Sequence, residues 1–277
     1  MGSMRLASPS PLPGFGTAFG LTLTWVSLIV LIPLAALVLR PWELGIAGVV
    51  DSLSGTRVMA ALRLSFGAAL AAAAIDVPLG LLIAWVLVRG RFPGRRLLDS
   101  LVDLPFALPT AVAGIALTAI YASNGWVGSW LAPIGVNVAY ALPGIMIALM
   151  FVGLPYVVRT VQPVLMDLAA DVEEAAATLG ARPAQVFWRI VLPAIAPAAM
   201  TGFAMAFARA VGEYGSVIFI AGNMPGQTEI APLLIVIRLE QFDYAGAAAL
   251  ALAMLVLAFL ILGTVNLLQQ KLFRAAR

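Results

Sequence analysis

Long apolar stretches alternate with shorter polar ones along most of the chain. Several apolar stretches reach about 20 residues, the length that an α-helix needs to cross a hydrocarbon core about 30 Å thick. Apolar residues are continuous within them rather than alternating with polar ones, which predicts helices and not the strands of a barrel. The pattern therefore predicts an all-α membrane protein with six transmembrane helices, at residues 19–39, 64–88, 97–121, 140–158, 197–221 and 245–268.

Composition agrees with a membrane location and excludes several kinds of chemistry. Hydrophobic residues make up 62% of the chain and charged residues only 10%, whereas soluble domains are about 25% charged. The chain has no cysteine and no histidine, which excludes disulfides, thiol chemistry and the usual transition-metal sites. We expect membrane lipid around the spans, no metal site and no nucleic-acid partner, since the slight positive charge reflects orientation instead.

The basic residues of the loops fall mainly on one side of the predicted membrane. Cytoplasmic loops are enriched in Lys and Arg, so the more basic side is predicted to be cytoplasmic and both termini lie there. The predicted organisation is a cytoplasmic segment at 1–18, one transmembrane domain at 19–268 with a cytoplasmic loop at 159–196, and a cytoplasmic tail at 269–277. The more basic side carries Arg5, Arg89, Arg91, Arg95, Arg96, Arg159, Arg182, Arg189, Lys271, Arg274 and Arg277, against Arg40, Arg57, Arg63 and Arg238 on the other.

One polar interruption, between the fourth and fifth spans, has a helical pattern of its own. From Asp167 to Leu179 an apolar stripe at helical spacing is flanked by carboxylates, which predicts an amphipathic helix. Gly180 suits the left-handed residue that ends a helix, and Pro183 suits the first turn of a second helix running to Pro193. An acidic helix is repelled by an anionic leaflet, which favours docking to a protein; the alternative is a helix pair lying on the bilayer.

These residues also carry a resemblance to a known family. The pattern Glu174-Ala175-Ala176, Gly180 and Ile190-Val191-Leu192-Pro193 resembles the EAA loop of ATP-binding-cassette (ABC) importer permeases. The resemblance implies a type I importer fold in a bacterial inner membrane, with the loop inserted as a coupling helix into a groove on a cytoplasmic ATPase. The residues that it assigns to ATPase docking are Glu173, Glu174, Ala175, Ala176, Gly180, Ala181, Arg182, Ile190, Leu192 and Pro193.

The same resemblance implies what this chain lacks and what its partners supply. There is no GxxxxGK[ST] phosphate-binding loop, so we expect no ATP hydrolysis by this chain and no cofactor bound to it. ATP and magnesium would be used by a separate ABC ATPase dimer. A related second permease subunit and an extracytoplasmic sulfate-binding protein complete the implied assembly.

Three further segments are similar to the sulfate/thiosulfate permeases known as the T or U component. They are Asp103–Thr110, Val158–Pro163 and Gly212–Asn223. Related molybdate permeases tend to have two adjacent prolines before the threonine, whereas this chain has only Pro109 before Thr110. Sulfate is therefore favoured, and a molybdate or tungstate importer is the alternative.

Charged residues inside the predicted spans indicate a transport path. Arg209 and Glu213 are four positions apart in the fifth span and so share a helix face. A mid-membrane Arg costs about 2.5–3.5 kcal/mol on insertion scales and should face the bundle interior or a water-filled cavity. Arg209 could attract a dianion, or the pair could simply lock the helix, and both alternatives remain open. Pro109, Thr110 and Ser216 complete the predicted path.

Other acidic residues lie within or beside the predicted spans, and two further classes of function are alternatives. Asp76 lies deep in the second span without an obvious partner, while Asp99 and Asp103 are expected to pair with Arg95 or Arg96. A secondary transporter driven by an ion gradient would have only Asp76 and Glu213 as coupling groups. A membrane enzyme would need a convergent nucleophile set, which this sequence lacks.

Overall fold

In the computed structural model of the chain, residues 14–274 are described, and within them the backbone forms helices and turns without a strand. Most of the predicted N-terminal segment and the last three residues of the predicted tail lie outside this range. The principal helices are α1 (Phe15–Val26, Ser27–Leu31 and Ile32–Leu39 in succession), α2 (Gly45–Ser54), α3 (Thr56–Arg89), α4 (Arg95–Val102), α5 (Leu104–Ala107), α6 (Thr110–Tyr121), α7 (Leu142–Asp167), α8 (Ala170–Thr178), α9 (Pro183–Val211), α10 (Val217–Ile220), α11 (Ala231–Glu240) and α12 (Tyr244–Arg274). Short helical turns also lie at Arg40–Leu44, Gly128–Leu131 and Ala132–Ile134.

Five helical stretches among the described residues are long and apolar enough to cross a membrane. They are α1 together with α2, then α3, α7, α9 and α12. The third predicted span, at 97–121, is divided into α4, α5 and α6, of which only α6 is a shorter apolar helix, so six spans stay a prediction. Topology and the side on which the termini lie stay predictions.

Prolines explain why the third predicted span is broken. Leu108 has an extended backbone, with ψ 134°, as expected for a residue that precedes a proline. Pro109 then stands immediately before α6, whose 12 residues extend only about 18 Å at 1.5 Å per residue.

The core of the bundle is formed by α3, α7 and α9, which pack along one another through small residues. A Cβ at Gly80 of α3 would overlap the side chain of Val157 on α7. The ring of Phe207, on α9, is fully buried against Phe66 of α3, with ring centroids 6.3 Å apart. Such close contact between small residues is typical of helices packed inside membranes.

Two predicted helix boundaries are corrected by the structure. Asp167 belongs to the end of α7 rather than to the amphipathic helix, which begins at Ala170. Pro193 does not end the second helix, because α9 continues through it to Val211. A wide π-type turn at Phe187–Val191 ends two residues before Pro193, and such a turn shifts the backbone hydrogen bonds so that a proline ring fits.

Candidate functional site

Residues 170–193, called the docking segment below, form the predicted helix–turn–helix. Gly180 adopts the left-handed conformation, with φ +86°, and the N–H of Ala181 donates to the carbonyl of Ala176 at 3.0 Å. These two features end α8 as a left-handed C-terminal cap. Pro183 occupies the first turn of α9, and the Arg182 N–H donates to Gln185 Oε1 at 2.8 Å. The turn is therefore fixed by local hydrogen bonds.

The outward face of the docking segment is more apolar than a solvated surface requires. Leu179 is 88% exposed at the tip, and Val172 and Ala175 are exposed on α8 beside the carboxylate of Glu174. The predicted apolar stripe thus points mostly away from the bundle, with Leu168 packed inward. A cavity of about 420 Å³ beside the tip is lined by Leu179, Gly180, Ala181, Gln185, Val186, Arg189 and Ile190. An exposed apolar tip beside a cavity suits contact with another protein.

The resemblance-derived docking residues fall into two groups in the structure. One group is exposed and available to a partner: Glu174, Ala175, Gly180, Arg182 and Pro193. The other is half-buried and holds the segment to the bundle: Glu173, Ala176, Ala181, Ile190 and Leu192. The second group therefore shapes the docking surface from behind.

Glu173 is held by an arginine that sequence reasoning did not connect with it. Arg89, the last residue of α3, lies with its Nη2 atom 2.7 Å from Glu173 Oε1 and its Nε atom 3.1 Å from the same oxygen. Nη2 also donates to the carbonyl oxygen of Leu168 at 2.8 Å. The residues are 84 positions apart, so no local sequence signal could have indicated the pair.

Asp99 and Asp103 bind Arg159 of α7 instead of Arg95 or Arg96, which corrects the prediction. Arg159 donates to Asp99 Oδ1 at 2.6 Å and to the two Asp103 oxygens at 2.7 and 2.6 Å. The long Arg159 side chain reaches both carboxylates because they lie one turn apart. It therefore ties α4, which contains Asp99, and the adjoining Asp103 to α7.

The second candidate site lies where the helical path breaks between α9 and α10. Arg209 Nη1 is 2.6 Å from Glu213 Oε2, with 33% of the Arg209 side chain and 2% of the Glu213 side chain exposed. The other carboxylate oxygen of Glu213 accepts from the backbone N–H and the hydroxyl of Ser216, both at 2.8 Å. Both oxygens of the Glu213 carboxylate therefore have hydrogen-bond partners, whereas a third of the Arg209 side chain is exposed in the isolated chain.

The remaining predicted path residues lie against this bend. Thr110 begins α6, and a Cβ at Gly215 would overlap its hydroxyl group; a Cβ at Gly114 would overlap the Ser216 carbonyl. Pro109 is exposed beside them. The structure thus brings Thr110, Arg209, Glu213 and Ser216 into one region, at the opposite end of α9 from the docking segment. From Pro193 to Arg209 the helix axis extends about 24 Å at 1.5 Å per residue.

Two further buried carboxylates differ sharply in their surroundings. The Glu229 side chain is 1% exposed, and its two carboxylate oxygens accept hydrogen bonds from Arg57 Nε and Nη2, at 2.7 and 2.6 Å. Asp76 is also buried, but neither of its carboxylate oxygens has a hydrogen-bond partner among the described residues. The first pair went unpredicted because its members are 172 positions apart.

Comparison with known proteins identifies relatives along nearly the whole chain. Residues 76–274 match the model of a family described as binding-protein-dependent transport system inner membrane component. The sulfate transport system permease protein CysT of Escherichia coli K12 is 45% identical over 269 residues, which cover 97% of each chain. A protein of the same name from Synechococcus elongatus is 48% identical over 248 residues, or 89% of each chain.

Solved structures share the fold at much lower identity. A bacterial ABC transporter involved in the import of the acidic polysaccharide alginate superposes with a TM-score of 0.77 at 16% identity, covering 92% of this chain and 94% of that one. An inward-facing MetNI methionine ABC transporter superposes with a TM-score of 0.52 at 18% identity, covering 79% and 98%. At such identities these matches describe the fold alone.

Proposed function

The chain belongs to the family of binding-protein-dependent transport system inner membrane components, and on that premise we propose that it is a membrane-spanning permease subunit of an ATP-driven importer for sulfate and thiosulfate. The observation that carries the substrate is the 45% identity to a sulfate permease over 97% of both chains. The described residues contain five helical stretches that are long and apolar enough to cross a membrane, which suits a multi-pass subunit. The permease does not itself hydrolyse ATP.

The partly exposed Arg209 side chain supports an anion as substrate. Sulfate carries two negative charges and four acceptor oxygens, which a guanidinium can bind through parallel hydrogen bonds. Glu213 compensates part of the Arg209 charge, so this site would bind its anion weakly. Weak binding suits a path, because an anion delivered by a binding protein must also leave on the other side.

The docking segment is the proposed site at which an ATPase binds and drives transport. Its exposed tip, Leu179, and the cavity beside it would fit a groove on a separate ABC ATPase dimer, which binds the ATP and magnesium. This places the segment in the cytoplasm of a bacterial cell, in agreement with the Lys and Arg distribution. A sister permease subunit would form the other half of the path, and an extracytoplasmic binding protein would deliver the anion.

The continuity of α9 gives the proposed coupling a physical route. This single helix begins at Pro183 in the docking segment and ends at Val211, two residues before Glu213. When ATP closes the ATPase dimer, the two docking segments would approach each other and tilt the helices joined to them. The membrane cavity would then open outward, and ATP hydrolysis would return it to the inward state.

The proposal is tested by transport measured in proteoliposomes. The permease pair is reconstituted with its ATPase, the binding protein is added, and uptake of radiolabelled sulfate is followed with sulfate, thiosulfate or molybdate as the competing anion. We expect uptake that needs ATP and the ATPase and that sulfate and thiosulfate suppress. Uptake driven by a proton or sodium gradient without ATP, or suppression by molybdate at lower concentration than by sulfate, would contradict the proposal.

A further inference from the structure

The first helix of the docking segment, α8, has few means of holding its own orientation. It contains only nine residues, and isolated helices of this length are marginal in water. Breaks flank it on both sides: Leu168 and Ala169 are extended, with ψ 106° and 129°, and Gly180 is left-handed. Its position relative to the bundle therefore depends on the contacts that fasten it there.

Arg89 supplies the polar contact that crosses the first of these breaks. One guanidinium binds the carbonyl oxygen of Leu168, on one side of the break, and the carboxylate of Glu173, on the other. Both the Arg89 and Glu173 side chains are about four-fifths shielded from solvent, with 22% and 19% exposed. A planar guanidinium with several fixed donors can hold two acceptors at once, which a lysine cannot do in the same way.

The helix that carries Arg89 is the longest in the bundle core, and its other end is fastened in a similar way. The 34 residues of α3 span about 51 Å. In its first turn Arg57 binds Glu229 through both carboxylate oxygens. Two residues further along the chain, the N–H of Ala231 donates to Ser65 Oγ of α3 at 2.8 Å. Thus α3 is tied to α8 at one end and to the 229–231 segment at the opposite end.

We propose that Arg89 is a positioning residue that couples the docking segment to the bundle, because it clamps Glu173 and the Leu168 carbonyl to the end of α3. A displacement of α8 by a bound ATPase then displaces α3 as well as α9. Through Arg57 and Glu229 the movement reaches the opposite end of the molecule. This inference rests on the proposed function, since it assumes that a partner moves the docking segment.

The experiment uses the complete transporter in proteoliposomes, with three variants and a matched control. The variants are Arg89→Gln, Glu173→Gln and the double variant; the control is Arg91→Gln, because Arg91 is exposed and makes no ion pair within residues 14–274. Four quantities are measured for each: the amount of ATPase that co-purifies, basal ATP hydrolysis, sulfate uptake, and the ATP hydrolysis stimulated by the loaded binding protein.

For Arg89→Gln we expect normal ATPase retention and basal hydrolysis, at least a tenfold loss of sulfate uptake, and stimulated hydrolysis close to the basal rate. Because Arg89 and Glu173 act through one contact, the double variant should transport no worse than the poorer single variant. The control should remain within twofold of the parent protein.

Three results would overturn the inference: uptake by Arg89→Gln equal to that of the control, losses that multiply in the double variant, or loss of ATPase retention together with uptake. A parent complex that fails to transport sulfate would instead count against the proposed function itself. The two failures are therefore distinguishable within the same set of samples.

Discussion

Glu213 and Glu229 are carboxylates almost completely removed from solvent, and each is paired with an arginine that keeps part of its surface open. Removing one partner of a buried ion pair leaves the other charge buried without a counter-charge. Arg209 could attract the anion or could only lock the helix. Removing one charge or both charges of the pair distinguishes these two alternatives.

Arg209→Gln should reduce both folding stability and sulfate uptake. The loss of stability should be about 2 kcal/mol, below the about 3–5 kcal/mol typical of a fully buried pair, because a third of the Arg209 side chain is exposed. The double variant Arg209→Gln/Glu213→Gln removes both charges and should restore the thermal midpoint of the purified protein. Uptake should stay at least tenfold below the parent; recovered uptake would show that Arg209 only locks the helix.

Gly180 permits a prediction that separates backbone conformation from side-chain contact. No atom lies within 4 Å of a Cβ built on it, so Gly180→Val would suffer mainly from its left-handed backbone, at about 1–2 kcal/mol. Asparagine tolerates this conformation much better. We expect the amount of ATPase that co-purifies to fall for valine and to be largely kept for asparagine. Equal losses in both variants would contradict a role for the turn conformation.

At the scale of secondary-structure elements, the proposed path lies where helices are interrupted. α6 begins after Pro109, and α9 ends before Glu213; the two broken ends pack together through Gly114, Gly215 and the Ser216 backbone. Broken helices of this kind often line transport paths in membranes, because side chains and caps satisfy the freed backbone groups. Here the Glu213 carboxylate satisfies the Ser216 N–H.

Gly114→Ala should destabilise this contact, whereas Gly67→Ala should not. The added methyl group at position 114 would overlap the Ser216 carbonyl oxygen and force α6 away from the bend, while position 67 on α3 has no atom within 4 Å. We expect a lower thermal midpoint and reduced uptake for the first variant. The second should be neutral or slightly more stable, because alanine favours a helix over glycine. Similar midpoints for the two variants would argue against the tight packing.

Local features of these elements were predictable, and features set by packing were not. Sequence spacing predicted the features that are local: the turn at Gly180, the helix start at Pro183 and the Arg209–Glu213 pair. Each of them depends only on residues that lie within about four positions in the sequence. Asp99 and Asp103 were assigned to the arginines nearest in sequence, but α7 brings Arg159 closer in space. The π-type turn before Pro193 depends on how α9 packs, which explains why the helix was expected to end there.

At the scale of the whole molecule, the two candidate sites lie at opposite ends of one helix. The docking segment opens α9, and the Arg209–Glu213 site closes it, while α3 runs beside it with an arginine clamp at each end. Family membership follows from a match over residues 76–274, and the substrate is inferred from the relatives. The central claim is therefore that a separate ATPase drives transport by binding the exposed tip of the docking segment.

The most direct test of that claim is site-specific cross-linking, which the absence of cysteine from the chain makes unambiguous. Leu179→Cys places a single thiol on the exposed tip, and Gln227→Cys places one on an exposed loop next to Glu229 as the matched control. A short cross-linker with one thiol-reactive and one amine-reactive end is applied to membranes that contain the full transporter. The account predicts a cross-link from position 179 to the ATPase and none from position 227. No product from position 179, or equal products from both positions, would contradict it.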